Sequence, residues 1–180
     1  EHRVMEAEWI DLATASVDGV LCRWGYMLLA DPETALRETR RVLRPGGRVA
    51  LAAWDGAEHN PWVAETGKEL LEQGLAEEPD PGAPGMFAFA EPGWIEELLG
   101  SAGFQELEVS AVDITFAAAS FADWWAYHRE TSPSLTEALA AQPDSEATLA
   151  GAVERRLRPW TAPDGSLALP GRTLVAAAEA

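Results

Sequence analysis

Along the first half of the chain, short apolar runs alternate with segments whose apolar residues recur at helical spacing. Val17–Cys22 (VDGVLC) reads as a buried strand. Asp31 then stands as a capping residue ahead of Pro32, and Ala35, Leu36, Val42 and Leu43 mark one apolar face through Arg44. Proline is tolerated in the first turn because the first N–H groups of a helix have no acceptor within it. Pro45–Gly46–Gly47 breaks the helix, and Arg48–Trp54 (RVALAAW) is almost continuously apolar, as a strand covered on both faces should be. Strand, helix, turn and strand make one βαβ unit, expected to be right-handed.

From Asp55 to Glu91, prolines and glycines interrupt a short helical stretch at Trp62–Leu75, which reads as an insertion or lid. Regular structure returns with Trp94, Ile95, Leu98, Leu99 and Ala102 on one stripe, and Gly103 stands where a left-handed C-terminal cap belongs. Leu107, Val109, Ala111 and Ile114 give an alternating strand that slips once near Val112–Asp113, as a bulge would make it. Ser120–Pro159 predicts three short helices, opened by Ser120-x-x-Asp123 and again by Ser134-x-x-Glu137. Ser166–Leu169 and Arg172–Ala178 flank Pro170–Gly171, a hairpin or a lead-in to a final strand.

Composition narrows the functions. With 30 acidic against 13 basic residues in 180, the net charge of −17 argues against nucleic acid or an anionic membrane as partner. The single cysteine, Cys22, excludes an internal disulfide and fits a reducing cytoplasm. No apolar run approaches the ~18 residues of a membrane span. One domain, residues 1–180, is the default, with 55–91 and 120–159 as substrate-side insertions.

The usual catalytic inventory is thin. His2, His59 and His128 are scattered, and no pair has the i, i+4 spacing of a helical metal site, so no metal is expected. No Walker loop or G-x-S-x-G elbow occurs, and no histidine is positioned to activate Cys22. Glu77–Glu78 and Glu96–Glu97 read as solvated surface in so acidic a chain. No catalytic acid or base is assigned.

Ser16–Pro32 (SVDGVLCRWGYMLLADP) joined to Leu36–Trp54 (LRETRRVLRPGGRVALAAW) resembles the class I S-adenosylmethionine-dependent methyltransferases, especially the ubiquinone/menaquinone-biosynthesis-like group. The matching parts are the family's fourth strand, the helix ending in R-V-L-x-P-G-G, and the fifth strand. Met5-Glu6-Ala7-Glu8 is similar to the family's segment after its third strand, with Glu for the usual Asp and Met for Gly. The resemblance implies a Rossmann-like doubly wound α/β fold, mostly parallel with an antiparallel final strand, and S-adenosylmethionine as cofactor. It assigns Glu6 to the adenine amino group, Ala7 N–H to a ring nitrogen, and Cys22–Arg23 to the methionine part, with the Arg23 side chain open to an anionic substrate, the cofactor carboxylate or a neighbouring acid. A carboxylate only accepts hydrogen bonds, which suits an amine that only donates. The family's Gly-x-Gly loop and ribose-binding carboxylate do not precede Glu6, so the chain is expected to correspond to the later part of the domain.

Tyr26 and Met27 before the crossover helix, and Trp54, Asn60 and Trp62 after the fifth strand, leave the sheet at one edge. Aromatic and thioether groups there suit a flat or apolar methyl acceptor, with core packing as the alternative use. The function read from all this is methyl transfer to a small molecule. A non-catalytic ligand-binding or dimerisation domain is the competing reading, and a hydrolase using Cys22 is a third. Without the family's first strands, Val17–Cys22 would present a bare edge that favours a homodimer, and Glu1–Leu12 would be poorly held or fold back on that strand.

Overall fold

A computed structural model describes residues 2–80 and 82–180. In chain order the elements are β1 (Val17–Arg23), α1 (Pro32–Val42), β2 (Leu43–Trp54), α2 (Pro61–Glu72), α3 (Trp94–Ser101), β3 (Gln105–Ala118), α4 (Phe121–Thr131), α5 (Pro133–Ala141), α6 (Glu146–Leu157) and β4 (Leu167–Glu179). The four strands form one sheet in the order β1-β2-β4-β3. β1 lies parallel to β2, and β4 runs antiparallel to β2. The α/β sheet with an antiparallel last strand is the architecture the sequence predicts.

The chain divides into two compact units: Glu1–Gly56 with Pro81–Val112 and Arg172–Ala180, and Ala57–Asp80 with Asp113–Gly171. The segment read as one insertion, 55–91, is therefore shared between them. In the first unit, Leu36, Val42, Val49, Leu51, Ile95, Leu99, Phe104 and Ala176 build the core. Asp31 caps α1 by accepting the Thr34 N–H at 2.9 Å, with Pro32 in the first turn. α3 ends in two reversed hydrogen bonds, Phe104 N–H to Leu99 O and Gly103 N–H to Gly100 O, closed by Gly103 at φ +88°.

β1 is not the buried strand that its composition predicts. It is the outer strand of the described sheet, and Leu21 is 87% exposed. An apolar run cannot by itself say which strand is outermost, because that depends on what pairs with it. Nor do residues before it fold back onto β1. Arg41 on α1 donates to Ile10 O at 2.7 Å and Leu12 O at 2.9 Å, which anchors this stretch to the helix; Glu1 lies outside the described residues.

In the second unit, Trp124, Trp125, Leu135, Leu149, Val153 and Leu157 pack with Leu70 of α2 and Leu167 and Leu169 of β4. The three helices of 120–159 are present, but Ser132, not Ser134, caps α5, since Pro133 occupies its first turn. Ser166–Ala178 forms no hairpin: Pro170–Gly171 lies inside the continuous strand β4. β3 is likewise continuous, and its burial parity changes as the sequence slip predicts, from Leu107 and Val109 to Ile114, Phe116 and Ala118. Among the described residues no helix is long and apolar enough to cross a membrane.

Candidate functional site

The carboxyl ends of the parallel pair β1 and β2 carry Cys22, Arg23 and Trp54. Open α/β sheets bind ligands beyond such ends, because the chain must leave the layer there and opens a crevice. Directly after Arg23, Trp24 takes φ +56°, a left-handed conformation that bulky side chains seldom adopt. Three contacts hold it. Its N–H donates to Ala52 O at 2.8 Å, its indole Nε1–H donates to Thr173 Oγ1 at 3.1 Å, and its ring stacks on Trp54 at 4.4 Å and 13°. Thr173 Oγ1 in turn donates to Ala53 O at 2.7 Å, so β4 fixes the stack from below.

Cys22 is half-buried with a free thiol. A Cβ on Gly25 would stand 2.7 Å from its Sγ, so the turn after β1 closes tightly over the thiol only because residue 25 has no side chain. Among the described residues no side chain hydrogen-bonds the thiol, so nothing there supports the hydrolase reading.

Glu6 and Ala7 open a turn in which Trp9 N–H donates to Glu6 O at 3.2 Å. Among the described residues the Glu6 carboxylate and the Ala7 N–H have no partner. An uncommitted acceptor and an uncommitted donor on adjacent residues are what the edge of an adenine ring requires.

Tyr26 and Met27 are buried, at 5% and 4% exposure. The Tyr26 hydroxyl lies 2.6 Å from Thr39 Oγ1, and burial pushes its pKa up to about 12. Both are buried instead of facing solvent. In the second unit, Asn60 is fully buried and accepts from Trp62 Nε1–H at 3.1 Å, and the Trp62 ring stacks on Phe116 at 4.1 Å. The structure thus groups Cys22 and Arg23 with Trp54, and separately Asn60 with Trp62. No group of three or more metal-ligating side chains occurs among the described residues.

Sequence reasoning missed Thr173 as the support of the aromatic stack, and no local pattern could have revealed it across that separation. It also missed the ion-pair cluster of Arg156 with Glu65, Glu69 and Glu72. The 65, 69, 72 spacing on α2 was the available signal.

Residues 1–51 match the profile of a methyltransferase domain family. Methyltransferase ucsB of Acremonium sp is 31% identical over 120 residues, covering 63% of this chain and 37% of its own length. The fold is similar to that of a candidate methyltransferase of Bacillus halodurans C-125, at TM-score 0.55 and 18% identity over 97% of this chain and 75% of that one. It is also similar to a candidate type II methyltransferase of Anaeromyxobacter dehalogenans, at TM-score 0.58 and 22% identity over 98% and 70%. The chain thus has the fold of these methyltransferases, and its first 51 residues match a methyltransferase domain family. It spans 37% of the length of the curated methyltransferase it matches. The matched range 1–51 contains the Glu6–Ala7 turn, β1 and most of β2.

Proposed function

We propose that the chain takes part in methyl transfer from S-adenosylmethionine to a small-molecule acceptor. The observation that carries this reading is the uncommitted pair of Glu6 carboxylate and Ala7 N–H in a turn within the region matching the methyltransferase profile. Glu6 accepts from the adenine amine and Ala7 donates to the ring. Backbone groups of Cys22 and Arg23, at the strand end, hold the methionine part. When bound, the cofactor supplies an electrophilic methyl group on a sulfonium, which needs in-line approach and exclusion of water more than a dedicated base. That requirement is consistent with a site lacking an acid/base pair.

On the acceptor side, the Trp24–Trp54 stack forms a rigid aromatic wall, with Tyr26 and Met27 packed in the same unit. Asn60 and Trp62, in the other unit, are a separate candidate for acceptor contact. Cys22 as a lone thiol suits work in the cytoplasm.

Titration of isotopically labelled protein with S-adenosylhomocysteine, followed by backbone amide resonances, tests the proposal even at millimolar affinity. Shifts should concentrate at Glu6–Glu8 and Cys22–Gly25, and Glu6→Ala should remove those at the turn. Shifts confined to other regions, or none, would refute it. Trp62→Ala should leave that titration unchanged.

A further inference from the structure

We propose that Arg23 is a specificity-determining residue that selects a carboxylate-bearing acceptor, a reading that rests on the methyl-transfer site above. In an extended strand, neighbouring side chains point to opposite faces of the sheet. Arg23 and Trp24 break that rule, with the guanidinium carbon lying 4.8 Å from the centre of the adjacent ring. The left-handed turn at Trp24 makes this possible. Such a conformation in a bulky residue costs roughly 1 kcal/mol or more and persists only where the surroundings over-determine it. Here the Ala52 and Thr173 hydrogen bonds and the Trp54 stack do so. Trp54 covers one face of the Trp24 ring, so sterics place the guanidinium on the other. Arg23, Trp24 and Trp54 are layered at the end of the parallel strands.

The second observation is electrostatic. Arg37, Arg41, Arg44, Arg48, Arg129 and Arg156 each meet a carboxylate. Arg23 is exposed, and among the described residues its guanidinium has no hydrogen bond or ion pair. Arg40, Arg155 and Arg158 also lack an ion pair among the described residues, but Arg23 alone of these lies over an aromatic ring at the strand end, which restricts it without using its N–H fork. The overall field repels an anionic ligand, so such a ligand needs a local cation to bind at all. The planar fork matches a carboxylate with two parallel hydrogen bonds, which an uncharged amide cannot reproduce.

Benzoate and benzamide, equal in shape and different in charge, test this by titration monitored at the indole N–H resonances of Trp24 and Trp54. Benzoate should shift both and bind at least tenfold more tightly than benzamide. Arg23→Gln, an exposed substitution, should abolish the preference while leaving benzamide binding as it was. Equal affinity for the two probes, or a preference that survives Arg23→Gln, would overturn the proposal. So would an Arg23→Gln variant that loses S-adenosylhomocysteine binding and keeps benzoate, since Arg23 would then serve the cofactor. A benzoate preference without cofactor shifts at Glu6–Glu8 would instead refute the methyl-transfer reading and leave a carboxylate site standing.

Discussion

His128 lies flat against Trp124, with ring centroids 4.7 Å apart and planes 16° apart. Its Nε2 is buried without a hydrogen-bond partner, and burial lowers its pKa to about 4. Protonating it in the fold would bury an unpaired charge. In the unfolded chain it titrates near 6.5, so below that pH the unfolded state holds the extra proton and stability falls until the folded form titrates near 4. Between pH 7 and pH 5 this amounts to about 2 kcal/mol. Urea unfolding of His128→Phe should lack that portion of the loss. Parallel pH curves for the two proteins would contradict the prediction.

Arg156 on α6 bridges Glu65, Glu69 and Glu72 on α2. Burial alone would raise the pKa of Glu69, but hydrogen bonds from Arg156 and Gln73 outweigh it and hold the carboxyl below its ordinary value. Its stabilising contribution is thus present above the unfolded pKa and lost as pH falls through the folded one. Arg156→Met should destabilise by about 3 kcal/mol, because the buried Glu69 charge keeps only the Gln73 hydrogen bond and the more distant charge of Arg155. Glu69→Gln in the same background should recover part of the loss, since it removes the stranded charge. Unfolding free energies of the two single variants and the double variant measure this.

The cap of α5 is a sharper local test. Ser132 accepts the Leu135 N–H, whereas Ser134 only approaches Ser132 Oγ at 3.3 Å. Ser132→Ala should cost roughly 0.5–1 kcal/mol, and Ser134→Ala almost nothing. Thermal unfolding of both should give a lower Tm only for the first.

That cap shows what local spacing can and cannot reveal. Ser134-x-x-Glu137 satisfies a capping pattern, but Pro133 favours the first turn and so moves the cap one step back to Ser132. Pro170–Gly171 misleads in the same way, as turn residues in a continuous strand. A Cβ on Gly171 would come within 2.8 Å of Phe116 and 3.2 Å of Trp62, so close approach, not a turn, explains the glycine. The βαβ unit and the helix stripes were legible because burial imposes a period on the residues themselves. The layering of Arg23 on Trp24 was not, since it depends on a backbone angle fixed by Ala52 and Thr173 on other strands. Position in the chain puts Cys22, Arg23 and Trp54 at the carboxyl ends of adjacent strands, while pairing between strands decides what faces water.

Arg41 and Glu38 on α1 hold the stretch that follows the Glu6–Ala7 turn. Arg41 donates to Ile10 O and Leu12 O and pairs with Glu38, while Glu38 accepts the Ile10 N–H at 3.1 Å. The Arg41 hydrogen bonds, outweighing partial desolvation, hold the Glu38 carboxyl below its usual range. One guanidinium thus serves two backbone carbonyls and a carboxylate, a geometry a flexible ammonium cannot match. Few buried apolar contacts accompany it, for Trp9 is 76% exposed. The segment should therefore open locally without the core. In Arg41→Lys, amide exchange at Ile10 should accelerate at least tenfold while the global unfolding free energy changes by less than about 1 kcal/mol. Affinity for S-adenosylhomocysteine should fall in parallel with the faster exchange, because the turn proposed to read adenine would be ordered only part of the time. Unchanged exchange at Ile10 would show that other contacts hold the segment.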